Sequence, residues 1–356
     1  MNAPLNAPVK SPLRYSRDDL MASHPYARPH EEAGYRLHGG FLADGTYVSP
    51  RTLVRTPAVA AWAQALEARG WPVIDASVEL MKRPGFPNFE QQRLLIGEGL
   101  GQTFWDSLTV TGIIEARGRG LCDLPAPDFS QRIVDDLSDT ATGHLGKGLL
   151  YAHGADEGGD PARPGEGAHD AMWFAARDLA FGKDAWPLAG APDSIARETP
   201  GREMPDLTEG MEQFVKFLMN VLMIEIRAES FFDLCQRLFR DPALWGERRA
   251  GADKAAELVE RIRTDEAIHV SYLRVVLSEM RSFTWRTVSG AEKRGAEILD
   301  PMWETMVVWH GRTQRDLAAE RSRDQLHSRL VAERGAAGAR ALLARLDALA
   351  EESVAA

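Results

Sequence analysis

"RTDEAIHVSYLR", residues 263–274, sets Glu266 and His269 three positions apart in a stretch that otherwise reads as the apolar face of a helix. At about 100° per residue, Leu258, Ile262, Leu273, Val276 and Met280 fall on one stripe, and Glu266 and His269 fall inside it. An ionised carboxylate buried without a partner is strongly disfavoured or takes up a proton, so the pattern asks for a compensating cation. A metal ion is one.

The preceding segment, "EQFVKFLMNVLMIEIRAESFFDLCQRLF" (212–239), is apolar nearly all round, as a central buried helix is. It nonetheless carries Glu225 and Glu229, one turn apart, on the stripe of Phe214, Leu218, Val221 and Phe232. A loop at 241–251 joins the two helices, and in an antiparallel hairpin this spacing predicts Glu229 at the height of Glu266. Two adjacent helices then direct carboxylates and an imidazole inward.

Working outward, the sequence predicts further helices at roughly 57–69, 88–117, 129–157, 166–182, 206–240, 252–284, 290–319 and 322–352, with connections such as "GGDPARPG" and "RDPALWGERRAG" between some of them. Residues 1–35 read as a disordered or surface-wrapped Pro/Ala arm. "RLHGGFLADGTYVSPRTL" (36–53), with its Asp44-Gly45 turn signal, reads as a short hairpin and the one convincing β element. The expected fold class is therefore all-α, a helical bundle. Residues 1–88 form an arm, hairpin and short helix wrapping the core, 89–320 form the bundle, and 321–356 form a C-terminal helix. That last helix reads as a packing or oligomerisation arm, so a homodimer is among the expected assemblies.

The formal charge of -10 argues against a nucleic-acid partner, since no long basic block is present. Apolar runs are broken by charge too early for a membrane span, and the N-terminus lacks the layout of a secretory signal, so a cytoplasmic location is expected. Cys122 and Cys235 offer neither a disulfide framework nor a zinc spacing and read as core thiols.

A buried Glu on one helix with Glu-x-x-His on the next resembles the half-site of the ferritin-like dinuclear carboxylate proteins, and Glu229 with "EAIH" is similar to it over about residues 130–285. A second Glu-x-x-His occurs at Glu166 and His169, where Glu166 stands at the very start of its helix. Height matching then favours a ligand near the end of the preceding helix, and "LLYAHGADEGG" supplies His153 and Glu157, one turn apart. Glu98, Glu115 and His144 are further candidates, as are Asp135 and Asp139. Asp170, Asp233 and Asp265 are candidates to receive the second N–H of a ligating histidine, and Tyr151 and Tyr272 read as core tyrosines beside the ligands. The plain alternatives are a buried polar network closed by Arg227 or Arg263, a helix N-terminus at Glu166, and a surface pair at His153 and Glu157.

The resemblance implies two iron ions per chain, with Mn as the alternative, held by Glu229, Glu266, His269, Glu166, His169, Glu157, His153 and Glu225. It also implies an O2-activating oxidase or oxygenase acting on a small organic substrate. The other expectations are an iron-handling protein of the ferritin or rubrerythrin kind, and a helical scaffold that has lost its metals. The sequence leaves all three open.

Overall fold

Gly335, a residue the sequence places inside its last helix, shows how the chain departs from its periodicity. The structure, a computed structural model, describes residues 5–355, with side chains through residue 350. In chain order it contains α1 (Arg17–Leu20), β1 (His30–Glu32), β2 (Tyr35–Leu37), β3 (Gly40–Phe41), β4 (Tyr47–Val48), α2 (Arg55–Ala68), α3 (Phe89–Gly97), α4 (Gln102–Gly118), α5 (Leu149–Gly158), α6 (His169–Phe181), α7 (Glu209–Arg240), α8 (Arg249–Ser282), β5 (Thr284–Arg286), β6 (Glu292–Arg294), α9 (Gly295–Val308) and α10 (Gln314–Ala355). The last of these is broken inside its span, for Gly335 has φ 69° and α10 folds back there. Arg323 pairs with Asp347, and Arg334 and Arg345 both reach Glu98, so the two arms run antiparallel. Their leucines, Leu326, Leu330, Leu342 and Leu346, pack with Leu95 and Leu100. The C-terminal helix is thus a hairpin closed on the chain itself.

The molecule is mostly helical, with three small antiparallel hairpins, β1 with β2, β3 with β4 and β5 with β6. The first and third of these depart from the reading of a single β element at 36–53. The Asp44-Gly45 turn of that element does lie between β3 and β4, where Gly45 has φ 86°.

Two expected helices are broken for identifiable reasons. The long helix of 88–117 divides into α3 and α4 at Gly99, which takes φ 80° and stops the first piece. The helix of 129–157 forms only in its last third, as α5. Upstream, the backbone bonds elsewhere: Val134 donates to the Thr284 carbonyl and Arg286 donates to the Arg132 carbonyl. Asp128 and Asp136 accept from Ser130 N and Ser138 N, local bonds that favour turns over helix.

α7 and α8 lie side by side with apolar faces interlocked, and α4 and α6 complete the bundle around them. The N-terminal arm wraps this core, burying Tyr15 and Leu20. No helix among the described residues is long and apolar enough to cross a membrane. Cys235 is buried and Cys122 half-buried, and both are free thiols.

Glu279 on α8 shows that the core tolerates an isolated carboxylate when donors meet it. It accepts from Ala141 N at 3.1 Å and from Thr142 N and Oγ1, both at 2.8 Å. Burial, opposed by these bonds, pushes its pKa up from 4.5 to about 7. The folded chain therefore keeps this proton after the unfolded chain has released it. The penalty is absent below about pH 4.5 and grows as pH rises toward 7, reaching roughly 3 kcal/mol. The unfolding free energy of Glu279→Gln relative to wild type, from urea titrations between pH 4.5 and 8, is expected to rise by that amount. A difference that stays flat across the range would show that Glu279 does not titrate in this way.

Candidate metal centre

α5 carries His153 and Glu157 one turn apart, and both are buried. The helix can bring them to the centre because glycines line its contact with α4. A Cβ on Gly118 would stand 2.7 Å from Glu157 Cβ, and one on Gly158 would stand 2.6 Å from the Ala116 carbonyl oxygen. Only at such close approach does Glu157 reach beyond its own helix pair.

Around it converge Glu115 from α4, His169 from α6, Glu225 from α7, and Glu266 with His269 from α8. Oε1 of Glu157 lies 3.3 Å from His153 Nε2, 3.2 Å from His269 Nδ1 and 3.8 Å from His169 Nδ1. Glu225 Oε1 is 3.0 Å from His153 Nε2. Glu266 reaches two rings, His269 Nδ1 at 2.6 Å and His169 Nδ1 at 3.0 Å. Glu115 completes the set, 3.9 Å from His169 Nδ1.

These donors form two groups. His153, Glu157, Glu225 and His269 make one; Glu115, Glu157, His169 and Glu266 make the other, and Glu157 belongs to both. In each group the candidate ligand atoms lie within 4.8 Å of one another, close enough that the group could hold a metal ion.

Each ring turns one nitrogen inward and has the other held from outside. His269 Nε2 lies 3.0 Å from Asp156 Oδ2, His169 Nε2 3.4 Å from Asp265 Oδ2, and His153 Nδ1 2.8 Å from the Tyr272 hydroxyl. A carboxylate can only accept, so Asp156 and Asp265 hold the outer N–H of His269 and His169 and leave the inward nitrogen of each ring as the one a metal would take in place of a proton. The Tyr272 hydroxyl, able to accept from His153 Nδ1–H, can hold that ring in the same way.

A further layer holds these outer carboxylates. Arg51 Nε and Arg55 Nη2 donate to Asp156 at 2.7 and 2.6 Å. Tyr47 donates to Asp265 at 2.9 Å, and His38 Nε2 lies 3.2 Å from the same oxygen. Arg51 occupies left-handed backbone, φ 54°, a strained conformation held by its buried bonds to Asp156 and the Ala155 carbonyl. The N-terminal hairpins are thus part of the centre's support. A third acceptor group, His38, His169 and Asp265, belongs to this outer layer.

The electrostatics show how much positive charge the centre demands. Burial and the neighbouring Glu266 push Glu225 up to about 8, and burial with Glu157 raises Glu115 well above the usual carboxylate range. Burial would lower the three histidines, but their neighbours outweigh it: Tyr272 with Glu157 and Glu225 raises His153 well above the ordinary imidazole value, Glu266 with Asp265 and Glu157 does the same for His169, and Glu266 with Asp156 and Glu157 lifts His269 to about 10. Burial likewise opposes ionisation of Glu266, yet His269 and His169 bring it down to about 2. Glu157 Oε1 and His169 Nδ1 are shut from solvent with no hydrogen-bond partner. Inward-facing orphan atoms of this kind suit a cation.

Of the residues read from sequence, His153, Glu157, His169, Glu225, Glu266 and His269 are brought together. Glu229 is not. It stands on the surface, paired with Arg263. The reason is helix registry: α8 begins at Arg249 rather than near residue 252, adding about a turn before Glu266 and moving its partner on α7 from Glu229 to Glu225. Glu166 lies before α6, 3.8 Å from Arg163, and is absent from both donor groups. Asp233 is exposed and pairs with Arg237, and Asp170 accepts from Ala168 N at the start of α6. Neither touches a ligand ring; Asp265 does, on His169.

Glu98 joins the α10 arginines, while His144 binds the Thr140 carbonyl and Tyr15 N. Tyr151 donates to Asp160. Trp173 and Phe232 stack in the core, with the Trp173 indole also donating to Glu115 at 3.3 Å. Glu115, read from sequence only among the further candidates, is a principal donor, and the outer residues Asp156, His38, Tyr47, Arg51 and Arg55 were missed. A signal existed for Asp156: α5 and α8 each carry an Asp-Glu doublet, 156–157 and 265–266, whose Glu faces the centre and whose Asp holds a ring.

Fold and site together define a mostly helical protein with buried His, Glu and Asp groups able to hold metal ions. No family model matches the chain, and neither a curated protein nor a solved structure matches it.

Proposed function

We propose that this chain is a ferritin-like protein with a dinuclear carboxylate centre that uses O2 to oxidise a small organic substrate. The observation that carries this reading is Glu157, shared by two donor groups, its Oε1 facing three imidazole nitrogens without a hydrogen-bond partner. His153, Glu225 and His269 would hold one metal with it, and Glu115, His169 and Glu266 the other. Four carboxylates and neutral imidazoles balance two divalent cations in charge.

The donor set is oxygen and imidazole, with no thiolate in either group. That set favours iron, with manganese as the alternative, over a structural zinc site. When bound, such redox-active metal supplies the electrons that reduce O2 and an open position at which O2 reacts. The protein's own part is to fix donors and exclude water: Asp156, Asp265 and Tyr272 keep the rings aimed inward, and the buried helices seal the site. The half containing His169 departs from the family pattern, because its carboxylates come from α4, α5 and α8 rather than from Glu166. Two complete donor groups weigh against a scaffold that has lost its metals.

Metal analysis of anaerobically prepared protein, followed by optical spectra after O2 exposure, tests the reading. Two irons per chain and a transient absorption that decays without mineral are expected. Accumulating mineral would favour iron storage, and a chain that retains no metal would remove the metal-based reading.

A further inference from the structure

On the face of α7 turned away from the centre lies a cavity of about 450 Å³, bounded by the start of α3, by α4 and by α10. Arg227, two residues from the donor Glu225, sits about 200° round the helix from it and enters this cavity. Arg315 from α10 also lines it. Arg227 Nη1 and Arg315 Nε are buried without a hydrogen-bond partner, and no carboxylate lies within ion-pair distance of either guanidinium among the described residues. Asp233, which also borders the cavity, pairs with Arg237.

Two guanidinium nitrogens buried this way are unusual, because arginine has only donors and buried polar atoms are ordinarily hydrogen-bonded. Phe86, Phe89, Phe104, Phe231 and Leu234 give the cavity an apolar part, beside polar residues such as Gln92, Ser107 and Ser230. The cavity shares Phe86 and Ser107 with a larger one of about 1160 Å³ that runs between α4 and α10, giving room for a ligand longer than its charged end.

We propose that this cavity binds an amphiphilic carboxylate, its head between Arg227 and Arg315 and its apolar body against the phenylalanines. A carboxylate supplies the acceptors both arginines lack, and planar guanidinium matches it in two-bond geometry. The phenylalanines favour a ligand with a hydrocarbon body over a bare anion. This site is separate from the metal centre and stands whether or not that centre is redox-active.

Calorimetric titration of the full-length protein with octanoate, with 1-octanol and inorganic phosphate as comparison probes, tests the proposal. Octanoate is expected to bind at least about tenfold tighter than either comparison, since octanol lacks the charge and phosphate lacks the body. Arg315→Gln and Arg227→Gln are each expected to weaken octanoate by about tenfold or more while metal content stays unchanged. Octanol binding as tightly as octanoate, or phosphate doing so, would overturn the proposal. So would octanoate binding indifferent to both substitutions, the result for a carboxylate bound at the metal centre instead. If a variant fails to fold by circular dichroism, the three-probe comparison on wild type decides alone.

Discussion

Glu157→Gln is expected to abolish metal retention at both halves of the centre, lowering affinity by about 100-fold or more, beyond the effect of losing an outer partner. Glu157 is the donor common to both groups and the side chain around which three ring nitrogens gather. The amide keeps the shape and removes the charge, so packing around Gly118 is undisturbed. Metal per chain, measured by inductively coupled plasma mass spectrometry after dialysis, reads the result. Glu229→Gln serves as the comparison and is expected to retain the wild-type amount, because Glu229 is engaged with Arg263 at the surface. Equal retention in the two variants would take Glu157 out of the centre.

The second large effect is on stability. Asp156 accepts from Arg51, Arg55 and His269, all of them buried. Burial would raise its pKa, but the guanidiniums of Arg51 and Arg55 and the His269 ring hold it well below the usual carboxylate range. Asp156→Asn leaves two guanidiniums with no anion and no route to water. Removing one member of a buried ion network costs about 3–5 kcal/mol. Urea unfolding of metal-free protein is expected to show a loss of that size, and metal affinity is expected to fall about 10- to 100-fold as His269 loses its outer support. A change below about 1 kcal/mol would place Asp156 outside the network that supports α5 and α8.

Local patterns in the sequence carried much of this. The 3.6-residue stripes of 212–239 and 258–280 mark α7 and α8 as buried helices, and the ionisable residues on those stripes mark a polar site within the bundle. Registry between helices was not legible to better than a turn, because it depends on where α8 begins, and Arg248 supplies no side-chain cap to mark that start. Hence Glu225 and Glu229, both acceptable by phase, could be told apart only by the folded pair. The stretch 129–148 carries apolar residues at helical spacing, yet its backbone is taken by β5 and by aspartate turns, contacts made in part with residues far along the chain.

By itself, the sequence determined that the chain is chiefly helical and that Glu266 and His269 share a buried face, because helix geometry follows from local spacing. It also placed His153 with Glu157 on one turn. Tertiary structure alone decided that Glu157 stands between two donor groups, that Glu115 joins it, and that Arg51, Arg55, His38 and Tyr47 hold the outer carboxylates. Those relations join residues separated by up to more than two hundred positions, as Tyr47 and Asp265 are. No local periodicity encodes such a distance; only close packing of the helices, with glycine at their contacts, brings the groups within reach.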